Sequence, residues 1–178
     1  MNLQQLRGSV AVVGVGHAGI GDATGFTEQE ILSQAALNAI KDAGLSLKDI
    51  DGITTCSSLS TMWVMPVIEY LGIRPTFIGS TMIGGSSYVA HLLPAIHALN
   101  SGQCNAVLVC YGSTQRTATF NRSELTRVRK VMDPQPFETP YDPPMPVAAY
   151  ALAAQRHAHQ YGTTRKQLAE VAVAARKW

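Results

Sequence analysis

The feature that most restricts the fold is an alternation of short apolar runs with segments of helical periodicity. Residues 9–15 carry Val10, Val12, Val13 and Val15 between Gly8 and Gly16, and residues 106–111 are apolar throughout. Strands that read as continuous apolar runs are those buried on both faces, as in a parallel sheet covered by helices. Between these runs, Thr27 and Glu30 stand at capping-box spacing ahead of Ile31, Ala35, Leu37, Ala39 and Ile40, and Gly44 ends the stripe. The pattern predicts a helix there, a turn at 46–49, a strand over 51–55, a helix over 65–71 closed by Gly72, and a short strand over 75–78. The cluster Gly84-Gly85-Ser86-Ser87 then opens an apolar helix ending at Gly102. Pro94 lies inside it, at a position where proline costs a helix about 3 kcal/mol and bends it. Strands and helices in this order predict an α/β fold with helices layered on a sheet.

After Gly112 the character changes. Residues 113–145 are polar, basic and rich in proline, with Pro134, Pro136, Pro140, Pro143 and Pro144 close together. So long an excursion from a compact domain reads as a lid or binding loop. Helical periodicity returns from Pro146, and Thr164 with Gln167 starts a last helix that has no stop signal before Trp178. The expected organisation is a core over 1–112, a lid over 113–145 and a helical segment over 146–178 that reads as truncated.

Length and charge exclude several classes. A chain of 178 residues with 46% apolar content can bury a substantial core. Its 14 basic and 12 acidic side chains leave +2, too little to draw the whole molecule to nucleic acid or a membrane surface. No stretch of about 18 apolar residues occurs, and the N-terminus lacks the pattern of an export signal. Cys56, Cys104 and Cys110 form no CxxC pair and have no histidine at zinc-site spacing, so reduced thiols in a cytoplasmic protein without a metal site are expected. Gly14, Gly16 and Gly19 spell GxGxxG after an apolar run, the fingerprint of a dinucleotide site. That fingerprint needs a helix to begin within the glycines, whereas the capping box lies at Thr27.

Four segments in order, VAVVGVG, NAIKDAGLSLKDIDGI, GGSSYVAHLLPAIHALNSGQCNAVLVCYGSTQR and PVAAYALAAQRHAHQYGTTRKQLAEVAV, resemble the N-terminal half of the thiolase superfamily. The likeness is to its sterol-carrier-protein-type and acetyl-CoA acetyltransferase-like branch. The resemblance implies one βαβαβαββ half of a five-layered α-β-α-β-α sandwich. It also implies a coenzyme A thioester as substrate with no covalently bound cofactor, a homo-oligomer, and a small partner subunit as a further option.

The resemblance also says where chemistry would sit. Thiolases open a central helix with a nucleophilic cysteine, whose thiolate is favoured by the helix terminus. Laid on this sequence, the cysteine position falls on Gly84, or on Gly85 or Ser86 if the pattern shifts, and no thiol is present there. The family reading therefore implies two enzymatic outcomes. One is thiolysis or Claisen condensation of the acetyltransferase type. The other is a cysteine-independent retro-aldol cleavage of a β-hydroxyacyl-CoA. A non-catalytic acyl-CoA-binding or structural subunit is the third reading. Gly84, Gly85 and Ser86 are the expected reaction centre, with Ser87 expected to contact substrate. Arg116 and Arg122, in a lid where Arg127, Arg129 and Lys130 add positive charge, are expected to meet the phosphates of coenzyme A. Against this, paired glycines and a serine also suit plain helix packing and capping. His91 and His97 read as core histidines, and His157 and His159 as residues of a solvated face.

Overall fold

The computed structural model describes residues 6–57, 60–114, 139–141 and 147–178, and the chain divides into two compact units, Met1–Arg129 and Lys130–Trp178.

In the first unit, helix α1 spans Glu28–Asp42 and starts where the capping box predicts. The Thr27 hydroxyl accepts from the Glu30 N–H at 3.2 Å while the Glu30 carboxylate accepts from the Thr27 N–H at 2.7 Å, so two orphan amides are satisfied at once. The helix buries Ile31, Leu32, Ala36 and Ile40, while Leu37 stays exposed. The buried stripe is thus rotated from the expected one: Leu32, Ala36 and Ile40, at i+4 spacing, join the core, and the Ala35 and Ala39 face meets the N-terminal segment instead.

Three parallel strands follow, β1 (Gly52–Thr54), β2 (Phe77–Gly79) and β3 (Val107–Val109), in the order β2-β1-β3. Ile53 of the central strand stands opposite Ile78 on one side and Leu108 on the other. Helix α2 (Val64–Leu71) connects β1 to β2, and Gly72 closes it in the left-handed conformation. Helices α3 (Ser87–Ala90) and α4 (Leu92–Asn100) connect β2 to β3. They are separated at His91 because Pro94 has no N–H for the Ala90 carbonyl and its ring crowds that oxygen. Leu32, Ile53, Val67 and Leu108 lie in one buried cluster between helices and sheet. At the amino end of the sheet, Asp51 accepts from the Asn105 N–H and side-chain amide, each at 2.8 Å, and from the Ala106 N–H at 2.9 Å. Burial opposes its charge, but these bonds outweigh that and hold the carboxyl below its ordinary value.

Residues 9–15, expected as a strand, form none. The segment lies along α1, where the Val15 N–H donates to the Asp42 carboxylate at 2.9 Å and the His17 carbonyl accepts from the Asn38 amide at 3.1 Å. Glycine is required for this approach: a Cβ at Gly14 or Gly16 would collide with the backbone at Ala39. The glycines of the GxGxxG pattern therefore serve contact with a helix, and α1 begins well past them, at Glu28.

The second unit contains α5 (Val147–Tyr161) and α6 (Arg165–Arg176), the latter opened by the Thr164 and Gln167 capping box. Neither helix buries a described residue. His157 and His159 are exposed, with His157 Nδ1 2.8 Å from the Thr163 hydroxyl. Among the described residues, no helix is long and apolar enough to cross a membrane.

Candidate functional site

In an open parallel sheet, ligands gather at the carboxyl ends of the strands, where the chain reverses direction across the sheet. Here the chain leaves β1 for β2 on one edge and returns to β3 on the other, so the reversal lies at the carboxyl end of β1. Cys56 follows that end, the glycine loop follows β2, and Cys110 and Tyr111 follow β3.

The glycine loop has a defined shape. Gly84 has φ +83°, a left-handed conformation that disfavours any side chain, whereas Gly85 carries no such constraint. A Cβ at either would meet open space. Gly84, Gly85 and Ser86 are exposed, and the Ser86 side chain makes no capping bond. Ser87 is fully buried, and its hydroxyl accepts from the Ile83 N–H at 2.9 Å and donates to the Gly84 carbonyl at 2.6 Å. Its hydrogen bonds therefore hold the loop in shape.

Behind the loop lies a group of aromatic side chains, tied to the Cys56 backbone, that sequence reasoning did not bring together. The Tyr88 hydroxyl donates to the Cys56 carbonyl at 2.7 Å, and its ring lies 4.7 Å from that of Tyr111 and 5.8 Å, edge-on, from that of His91. Burial, reinforced by the bond to Cys56, raises the Tyr88 phenol well above its ordinary value. His91 is buried as expected, and Nε2 donates to the Thr81 carbonyl at 2.8 Å, while Nδ1 is buried without a partner. His97, expected in the core, is exposed on α4. The sequence signal available for this group was position alone: each member sits just beyond a strand or within one turn of the glycine loop.

All three cysteines are free and buried. Burial pushes the Cys110 thiol up to about 12, with the Thr55 hydroxyl partly opposing the shift. Burial also raises Cys104, and Asp51 nearby adds to it. A raised thiol is a poor nucleophile. Among the described residues no group of three or more His, Cys, Asp or Glu side chains could hold a metal ion. Arg116 and Arg122 lie outside the described residues.

No family model matches the chain. It is 30% identical, over 97% of its length and 46% of the relative's, to a 17-hydroxy-3-oxo-4-pregnene-20-carboxyl-CoA lyase of Mycobacterium tuberculosis. It is 28% identical, over 97% of its length and 45% of the relative's, to a steroid side-chain-cleaving aldolase of Thermomonospora curvata. A third relative is an acetyl-CoA acetyltransferase of Methanothermobacter thermautotrophicus, 27% identical over 92% of this chain and 43% of that one. Among solved structures, an Ltp2-ChsH2(DUF35) aldolase matches 86% of this chain and 39% of its own with a TM-score of 0.69 at 24% identity, a likeness of fold. The chain spans somewhat less than half the length of the curated relatives it matches. With these relatives and a mixed α/β fold like that of the aldolase structure, the chain is similar to thiolase-superfamily proteins over part of their length.

Proposed function

We propose that the protein breaks a carbon–carbon bond in a coenzyme A thioester by cysteine-independent retro-aldol cleavage of a β-hydroxyacyl-CoA. The observation that carries the reading is the Gly84-Gly85-Ser86 loop, which has no thiol where a thiolase would hold its nucleophile, in a chain whose three cysteines are all buried. No thiol stands in the loop to carry the acyl chain of an acyl-enzyme route. The retro-aldol route needs none. A base takes the β-hydroxyl proton, the Cα–Cβ bond breaks as the carbonyl forms, and the electron pair passes into the thioester enolate. Protonation at Cα then gives a shortened acyl-CoA and a free ketone or aldehyde.

In this reading the bare loop leaves space beside the thioester, and polar groups near its carbonyl oxygen stabilise the enolate. Gly85 and Ser86 face the substrate, and Ser87 keeps the loop in shape. Arg116 and Arg122 meet the phosphates of coenzyme A. Two curated relatives with names of a CoA lyase and a side-chain-cleaving aldolase support the reading over thiolysis or Claisen condensation. A homo-oligomer and a small partner subunit belong to the same proposal and rest on the family resemblance.

The test is incubation of the protein with a β-hydroxyacyl-CoA and, separately, with a β-ketoacyl-CoA plus free coenzyme A. Release of a carbonyl product from the hydroxy substrate is the expected result. Thiolysis of the keto substrate alone would restore the acetyltransferase reading. Binding of acyl-CoA without turnover of either would favour a non-catalytic subunit.

A further inference from the structure

Two phenols stand near the carboxyl end of the sheet, and the fold spends the hydroxyl of one of them. The Tyr88 hydroxyl donates to the Cys56 carbonyl at 2.7 Å, and burial keeps it protonated by raising it well above its ordinary value. Tyr88 is therefore committed to joining α3 to the end of β1. Tyr111 has no such duty. Among the described residues its hydroxyl has no hydrogen-bond partner, and its side chain is half-exposed, at 48%.

The position of Tyr111 is nevertheless fixed from three sides. One residue before it, the Cys110 N–H donates to the Thr54 carbonyl at 3.2 Å and pins the end of β3 to β1. One residue after it, Gly112 lies against Glu28 and Leu32 of α1. Its ring lies 4.7 Å from that of Tyr88, which meets the buried His91 ring edge-on at 5.8 Å. A row of three rings thus runs from the interior to an open phenol. Tyr88, in the middle of the row, follows directly on Ser87, whose hydroxyl holds the Gly84 carbonyl at 2.6 Å. The glycine loop and the support for Tyr111 therefore hang on the same turn. A donor fixed in advance, with no partner to give up, is what stabilisation of a developing oxyanion needs, since no reorganisation is required as the charge appears.

We propose that the Tyr111 hydroxyl donates a hydrogen bond to the thioester carbonyl oxygen of a β-hydroxyacyl-CoA as that oxygen takes on enolate charge. The assignment rests on the retro-aldol reading for its substrate class. The phenol keeps its proton throughout. The base takes the β-hydroxyl proton, the Cα–Cβ electron pair passes into the enolate held by Tyr111, and the protonated base returns the proton to Cα.

Three proteins decide the matter: the unsubstituted chain, Tyr111→Phe, and Tyr70→Phe, which removes an exposed phenol on α2. Because the Tyr111 hydroxyl has no partner to lose, Tyr111→Phe is expected to keep the urea midpoint of the parent. Two readouts are compared. One is carbonyl release from a β-hydroxyacyl-CoA. The other is the enolate absorbance of a bound β-ketoacyl-CoA, which enolises but has no β-hydroxyl to start the cleavage. Tyr111→Phe should lower kcat about 100-fold with KM little changed, and should lose the enolate absorbance, while Tyr70→Phe alters neither. A Tyr111-dependent enolate in a protein that releases no carbonyl product would sink the retro-aldol reading and leave the role of Tyr111 standing. Cleavage by Tyr111→Phe at the parent rate would overturn that role and leave the reading intact. An enolate signal equal in all three proteins, or absent from all three, would overturn it as well.

Discussion

The Tyr88 hydroxyl donates to the Cys56 carbonyl across 2.7 Å, joining the turn after the glycine loop to the carboxyl end of β1 across 32 residues of chain. Tyr88→Phe keeps the ring contacts with Tyr111 and His91 and removes this bond, leaving the Cys56 carbonyl without its donor. A loss of about 1–2 kcal/mol is expected, read as a lower urea midpoint with an unchanged slope.

Gly84 and Gly85 are neighbours with different tolerances. With φ +83°, Gly84→Ala is expected to cost about 1–2 kcal/mol through backbone strain alone. Gly85→Ala, whose Cβ enters open space, should stay within about 0.5 kcal/mol of the parent. For the same reason a cysteine is better placed at 85 than at 84: Gly85→Cys should fold and react rapidly with iodoacetamide, while Cys56, Cys104 and Cys110 react only on unfolding.

Local signals were readable in the sequence wherever a few neighbouring residues decide the outcome. Thr27 with Glu30 starts α1, Gly72 closes α2, and Pro94 divides the helix that follows the glycine loop. The extent of α1 was legible, but its buried face was not, because Ala35 and Ala39 are small enough to serve either core or contact with Gly14 and Gly16. Residues 9–15 read as a strand on composition, yet side chains on α1, Asp42 and Asn38, compete for that backbone and win it in this structure. At the candidate site the glycine loop was visible as a motif. Its link to Cys56, Tyr111 and His91 was not, since no local pattern ties Tyr88 to a carbonyl 32 residues earlier.

Asp51 gives stability a defined acid limb. Its carboxyl is held below its ordinary value in the folded chain, so its contribution is complete above the unfolded value, roughly 3.9. It is lost as pH falls through the lower, folded value, because protonation there releases the donors of Asn105 and Ala106. Asp51→Asn should cost about 1–3 kcal/mol at neutral pH and flatten the loss of stability as pH falls below about 4. Denaturation curves across that range, for both proteins, check the sign.

Gly112 has a steric role at the end of β3. A Cβ there would collide with the Glu28 carbonyl and lie 2.8 Å from Leu32 Cβ, pushing β3 from the start of α1. Gly112→Ala is expected to cost at least about 1–3 kcal/mol, measurable as a fall in thermal midpoint that Gly85→Ala does not share.

In the proposed reaction, carbon–carbon cleavage proceeds without a thiol carrying the acyl group. Intact-protein mass spectrometry during turnover of a β-hydroxyacyl-CoA, with the carbonyl product quantified in the same sample, tests it most directly. Carbonyl product and an unshifted protein mass are expected throughout. A protein species heavier by one acyl group and discharged by free coenzyme A would contradict it.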